Sequence, residues 1–492
     1  MRLLNLIVFA MAVAAAGGAR ADTNEQPVIR YGDLIHPVFG PAGMVASQNR
    51  VASAVGADVL SAGGNAVDAA VAVSFALAVT LPRAGNIGGG GFMLIHVAED
   101  ATTTSIDYRE MAPPGATRDM FLDADGNVDN TKARFSHLSA GVPGTVAGLW
   151  EAHQRYGRLE WRELLEPAVA LARDGVRVSY DMASVLGLRQ ERLCANEAAC
   201  RYFYKADGSA YQPGDVIIQA DLAKTLDAIA RKGRDGFYKG RVARLIADDM
   251  KNNGGLVDKA ALARYEPVWR EPVKGTYRGY DIVTMAPPSS GGVHVLQMLN
   301  ILEQFDVGTM GAGSADSVHL LAEAMRLAFA DRSKHLGDPD FYPVPVDWLT
   351  SKDYGRELAA TIDMARARPS DEVLPGVVVA PESPDTTHIS IIDAEGNVVS
   401  KTYTLNLSYG SGIPIERAGV LLNNEMDDFV AKPGVPNACG MLGGEANAIE
   451  ADTRPLSSMT PAIVFSDGKA WFATGSPGGS RIITSVLQMI VN

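Results

Sequence analysis

Cysteine is scarce. The 492 residues carry three, Cys194, Cys200 and Cys439, too few for a disulfide framework. Cys194 and Cys200 either close one short loop or remain two thiols, and nothing near Cys439 in sequence resembles a Cys-His nucleophile pair. Histidine is thin as well: eight are scattered without an HExxH unit or a paired Cys-x-x-Cys, so no metal-ligand spacing is present. Positive charge is in deficit, with 44 Lys and Arg against 57 Asp and Glu and a net charge of −13. That balance argues against nucleic acid or an anionic membrane surface as a partner. Internal repeats and low-complexity tracts are lacking too. Past the N-terminus no run suffices to span a bilayer: the nearest, 66–81, is short and contains Asp68.

What is present begins with a targeting signal. Arg2, an apolar run over 3–16 and Ala19-Arg20-Ala21 precede the polar Asp22-Thr23-Asn24-Glu25, the pattern of a signal peptide over 1–21. Its removal takes away Arg2 and Arg20 and moves the net charge from −13 to −15. The expected destination is a periplasm, with no membrane span once the signal is gone. A length of 492 residues suggests two or three domains or one large sandwich.

Apolar spacing predicts a helix over 46–62 that stops at Gly63-Gly64, and Asn65 can cap a second over 66–81. The second is apolar nearly all round, which predicts burial between layers. Gly88 to Gly91 then stand between helix and strand without a following Lys-Ser/Thr or a GxGxxG unit, so close backbone packing is the expected use. Arg109 lies where a strand breaks into a Pro113-Pro114 turn, a place from which a guanidinium can fork onto a carboxylate. Helices are expected near 145–156, 161–173, 221–232, 240–251, 292–303, 315–335 and 352–363, around a β-rich interlude at 272–285. His319 and His335 fall on helices and read as satisfied side chains rather than ligands.

Residues 369–385 carry turn formers and acids and read as an exposed connector. Beyond it the chain turns β-rich. One hairpin is expected over 387–393 and 398–404, another over 462–466 and 469–474, and a helix over 481–491. A Gly- and Pro-rich stretch at 429–455 has the length of a lid. Thr386 opens this region. A threonine pair at a strand start is ordinary β chemistry, but cleavage of the Asp385-Thr386 bond would give Thr386 its own α-amine, with a pKa of about 8, as a base for its hydroxyl. Polar groups cluster after it: Thr404 and Asn406 at the end of the partner strand, Glu425, Asp427 and Asp428 after a strand at 421–424, and Ser457-Ser458 and Gly478-Gly479 in two turns. Acids, hydroxyls, an arginine and a Gly-Gly backbone suit a substrate bearing both ammonium and carboxylate, with the glycine N–H groups left for a developing oxyanion.

These residues resemble a known family. Gly63-Gly64-Asn65-Ala66-Val67-Asp68, 84–93, 108–113, 286–292, Leu336-Gly337-Asp338-Pro339, Thr386-Thr387-His388, 423–429, Arg454-Pro455-Leu456-Ser457-Ser458-Met459 and Thr474-Gly475-Ser476-Pro477-Gly478-Gly479 match, in order, the γ-glutamyltransferase (glutathione hydrolase) family of N-terminal nucleophile hydrolases. The resemblance implies an α+β fold, a four-layer αββα sandwich formed jointly by a large subunit, 22–385, and a small subunit, 386–492, cut from one precursor. It implies that Thr386 cleaves the Asp385-Thr386 bond and then carries the γ-glutamyl group, supported by Thr404, with Gly478 and Gly479 as the oxyanion hole. Arg109, Ser457 and Ser458 would hold the α-carboxylate, and Asn406, Glu425 and Asp428 the α-ammonium. The implied donor is glutathione, the acceptor an amino acid, a peptide or water, and no cofactor is required. Two departures stand out: Cys439 occupies a lid position that is often aromatic in bacterial members, and family light chains continue beyond the last helix, so the sandwich is expected to lack its C-terminal elements. Competing expectations are a cephalosporin acylase or poly-γ-glutamate processing enzyme of the same family and, in another class, an inactive truncated fragment with at most γ-glutamyl or glutamate binding.

Overall fold

Two antiparallel sheets frame the site, and both grow from the alternating runs of the sequence. The structure is a computed structural model that describes residues 37–369, 373 and 386–492. The signal segment, most of the connector and Asp385 lie outside the described residues. Residues 42–492 form one unit, separate from the unit that ends at Pro41.

In chain order the unit contains β1 (Gly43–Ser47), α1 (Arg50–Ser61), α2 (Ala66–Thr80), β2 (Gly90–Val97) and β3 (Thr102–Tyr108). A helical stretch follows that includes α3 (Tyr180–Cys194) and α4 (Glu197–Phe203), then β4 (Val268–Arg270), β5 (Val273–Tyr277) and β6 (Tyr280–Thr284). After these come α5 (Gly291–Leu302), α6 (Ala315–His335), β7 (Thr387–Asp393), β8 (Val398–Thr404), β9 (Ala462–Ser466), β10 (Lys469–Thr474) and α7 (Arg481–Val491). The larger sheet has the order β1-β7-β8-β2-β3-β4 and the smaller β10-β9-β6-β5. Strands from after residue 386 therefore lie between strands from before it in the larger sheet and pair with one of them in the smaller.

The two-residue period of each strand assigns its faces. On β7 and β8, Ile389, Ile391, Val399 and Tyr403 join the core around α2, while Val398 joins Leu94, Val283, Ile463 and Phe465 between the sheets. On the far side of the smaller sheet, Ile282 and Val464 pack with α5, α6 and α7. The packing order is thus helices, sheet, sheet, helices. Every residue of α2 is buried, as its all-round apolar pattern requires. Asn65 and Asp68 close its N-terminus as a capping box.

The glycine run behaves as a packing device. A Cβ on Gly89 would stand 2.0 Å from the Thr404 carbonyl oxygen, and one on Gly91 2.4 Å from that of Thr402, so β2 meets the end of β8 at a distance only glycine allows. Other expectations need revision. The segment 46–62 is not one helix: its start extends β1 to Ser47, and Asn49 caps α1. The strand expected at 421–424 shrinks to Val420–Leu421, and Glu425–Asp428 forms a 3₁₀ turn. The helix expected to reach 363 ends at Ala359. Helices α3 and α4 went unassigned in the sequence, and Cys194 and Cys200, at the end of one and within the other, form a disulfide.

Candidate active site

Register brings Thr386 to its place. In the β7/β8 pair Tyr403 faces Thr387, so the next position sets Thr386 opposite Thr404, on the face between the sheets. Thr386 is buried, and its Oγ1 donates to Thr404 Oγ1 at 3.4 Å. Thr404 Oγ1 also accepts the Asn406 amide at 2.9 Å. Asn406 adopts a left-handed φ of +73°, which turns the chain sharply after β8, and its Nδ2 donates to the Asn424 carbonyl at 2.9 Å. Asn86 clamps the same corner, donating to the Thr404 carbonyl at 2.8 Å.

His388, two residues beyond Thr386, is not placed to serve as its base. Its ring nitrogens are engaged by Thr402 Oγ1 at 2.8 Å and Ser390 Oγ at 2.9 Å. Burial, helped by Lys401, lowers its pKa to about 3, so the ring stays neutral.

Arg109 leaves the end of β3 and is fully buried. Its Nε donates to the Pro455 carbonyl at 3.2 Å, and its two terminal nitrogens pair with Glu425 and Asp428. The three side chains form one fork, buried except for a partly exposed Asp428, with the Glu110 carboxylate 3.6 Å from Arg109. Burial raises the pKa of Glu110 to about 7 and that of Glu425 well above the carboxylate range, against the opposing pull of Arg109. Asn437 donates to Asp428 at 2.9 Å. Asp427 points elsewhere, to Arg134 at 3.0 Å.

The two serine and glycine turns complete the wall. Ser290 N and Oγ both donate to the Ser457 carbonyl, at 2.8 and 2.7 Å, and Ser457 N donates to the Pro288 carbonyl. Gly478 and Gly479 have φ of +124° and +55° and lead into α7. A cavity of about 30 Å³ is lined by Thr386, Thr404, Asn406, Arg109, Glu425, Asp428, Ser457, Ser458 and Gly479. Gly478 stands just outside that lining, and Asp385 outside the described residues.

That volume holds water but not an amino acid. A zwitterion could enter only by separating Arg109 from Glu425 and Asp428, carboxylate to the cation and ammonium to the acids. Cys439, from the lid stretch, also lines the cavity, with Sγ 4.0 Å from Asn406 Oδ1. Arg332 lines it too and was missed in the sequence. Its signal was there: on α6 it follows Leu320, Ala324 and Ala328 at four-residue steps along the buried stripe.

Three comparisons bear on this geometry. The model of the gamma-glutamyltranspeptidase family matches residues 52–492. The glutathione hydrolase proenzyme of Escherichia coli (strain K12) is 53% identical over 469 residues, which cover 95% of this chain and 81% of that protein. Among solved structures, gamma-glutamyltranspeptidase from Helicobacter pylori superposes with a TM-score of 0.67 at 46% identity, covering 70% of this chain and 97% of that one. Cephalosporin acylase from Bacillus halodurans superposes with a TM-score of 0.80 at 25% identity, covering 95% and 83%.

Proposed function

The chain belongs to the gamma-glutamyltranspeptidase family, and from that premise we propose how its residues divide the work. It is an enzyme, a glutathione hydrolase and γ-glutamyltransferase made as a proenzyme. Thr386 is the nucleophile twice. In maturation its hydroxyl attacks the Asp385 carbonyl, the chain shifts from N to O, and water hydrolyses the ester, leaving a large subunit over 22–385 and a small one over 386–492. The observation that carries this reading is the meeting of the Thr386 hydroxyl, the Arg109-Glu425-Asp428 fork and Gly479 around one cavity.

The freed α-amine, near its ordinary pKa of about 8, takes the hydroxyl proton. The Thr386 oxygen adds to the γ-amide of the donor, the amine nitrogen leaves with the returned proton, and a γ-glutamyl ester remains until water or an amino acid accepts the glutamyl group. Neutral His388 supports assigning the base to the amine. Thr404 orients the hydroxyl, and the amides of Gly478 and Gly479 receive the oxyanion. Arg109, Ser457 and Ser458 hold the α-carboxylate, while Asn406, Glu425 and Asp428 hold the α-ammonium. The helix-sheet-sheet-helix packing supports the four-layer αββα reading. The N-terminal signal supports a periplasmic site of action, and no described helix is long and apolar enough to cross a membrane.

The likeness to cephalosporin acylase favours a second reading, in which a glutaryl amide is the substrate. The paired acids weigh against it, because a glutaryl group brings no ammonium to replace Arg109 beside them. The test is direct. Wild-type protein gives two bands on a denaturing gel, the smaller with Thr386 as its first residue, and cleaves a γ-glutamyl anilide faster than a glutaryl anilide. Thr386→Ala stays one band. A single wild-type band, or the reverse substrate order, overturns the reading.

A further inference from the structure

Arg332 is a buried cation of a different kind from Arg109. It projects from the last turn of α6, is 5% exposed, and lines the cavity that holds Thr386. Arg109 is met by Glu425, Asp428 and Glu110. No ion pair joins Arg332 to a carboxylate among the described residues; the bonds that hold it are to hydroxyls. Its Nε donates to Ser290 Oγ at 2.9 Å and a terminal nitrogen donates to Ser458 Oγ at 3.5 Å. Burial lowers its pKa to about 10, which leaves it charged at neutral pH.

A guanidinium only donates. Ser458 Oγ must therefore accept from Arg332, which leaves the Ser458 O–H to donate into the cavity. The same logic fixes the neighbouring turn: Ser290 Oγ accepts from Arg332 and spends its own proton on the Ser457 carbonyl at 2.7 Å. Thr460 Oγ1 holds the Ser458 carbonyl at 2.9 Å, so the serine turn is tied on both sides. One side chain on α6 thus sets the donor direction of Ser458 and, through Ser290, the position of Ser457. It also adds a positive charge that no carboxylate among the described residues offsets at contact distance.

We propose that Arg332 is a positioning residue for donor specificity, holding Ser458 as a hydrogen-bond donor toward the α-carboxylate and favouring donors that carry one. This rests on the reading of the cavity as a γ-glutamyl site. It places a second arginine behind the serines, while Arg109 serves the carboxylate from the other side. Arg332 acts in binding rather than in bond breaking, since its hydrogen bonds run to Ser290 and Ser458.

The experiment uses the matured enzyme with γ-glutamyl 4-nitroanilide and compares wild type, Arg332→Lys, Arg332→Gln, Ser458→Ala and the Arg332→Gln/Ser458→Ala double variant. Loss of a hydrogen bond to a charged group predicts that Arg332→Gln raises KM about 10- to 100-fold with kcat changed less than about threefold. Lysine keeps the charge but cannot bond both serines, so Arg332→Lys falls between. Because Arg332 works through Ser458, the double variant should have a KM close to that of the worse single one rather than the product of both effects. A KM like wild type in Arg332→Lys or Arg332→Gln, a loss in kcat alone, or multiplicative effects in the double variant overturn the proposal. If Arg332→Gln does not mature, the lysine variant decides alone. Failure of the wild type itself to expose Thr386 or to turn over the anilide refutes the reading of the site, whatever the Arg332 variants do.

Discussion

Lys401 is the residue whose chemistry least suits its surroundings. It lies on β8, on the face toward α2, fully buried and without a hydrogen-bond partner among the described residues, its Nζ 3.0 Å from the centre of the Tyr403 ring. Burial pushes its pKa well below the usual 10.5. The unfolded chain keeps that proton up to a pH of about 10.4. Between the lowered folded value and that limit the unfolded state binds more protons, so stability from this group rises with pH and is lowest in acid. Lys401→Met removes both the penalty and the slope. The expected gain is about 1–3 kcal/mol at pH 7, shrinking toward pH 10. Thermal unfolding of both proteins at several pH values checks it, and equal melting temperatures throughout would contradict it.

At the scale of elements, the disulfide between α3 and α4 braces the loop that turns out of β8. Arg192 on α3 donates to the Gly410 carbonyl at 3.2 Å and also bonds the Ser408 carbonyl, and Phe203 on α4 packs edge-on to Tyr409 at 5.0 Å. Tyr409 has a left-handed φ of +60°, like the cavity-lining Asn406 three residues earlier. Opening a loop this short costs about 2 kcal/mol in the chain-entropy account. Cys194→Ser/Cys200→Ser is therefore expected to lower the stability by about that amount, measured by denaturant unfolding, and no change would remove the bracing role. These two helices were among those that sequence pattern left unassigned, since α3 mixes polar residues such as Gln190 and Glu191 into its weak apolar stripe. The hairpin strands β7 to β10 were legible to the residue because alternation, Asp393 to Asn397 and Asp467-Gly468 state both period and turn. The end of β1 was misread because Ala46 and Ser47 were counted into the helical stripe of 46–62. Arg109, Thr404, Asn406, Glu425, Asp428 and the serine pair were picked out as candidates through family motifs, and the structure sets them around one cavity. Their pairing was not. That Arg109 already occupies Glu425 and Asp428 depends on contacts across more than 300 residues, which no local pattern records.

For the whole molecule, interleaving decides what cleavage does. In the larger sheet β7 and β8 lie between β1 and β2, and in the smaller sheet β9 pairs with β6. Separating the fragments would break both sheets and open the layers on either side of α2 and α5. Cleavage before Thr386 should therefore leave one particle. Size-exclusion chromatography is expected to elute both fragments together in native buffer and apart only in denaturant; separation without denaturant would contradict the interleaved sheets.

The central claim is that Thr386 carries the glutamyl group. Mixing the matured enzyme with a γ-glutamyl donor, quenching in acid and weighing the small fragment by mass spectrometry tests it most directly. A fragment beginning at Thr386 and heavier by one γ-glutamyl group, the addition mapping to Thr386 and missing when the donor is omitted, is the predicted result. An addition on any other residue, or turnover by a chain never cut before Thr386, would contradict it.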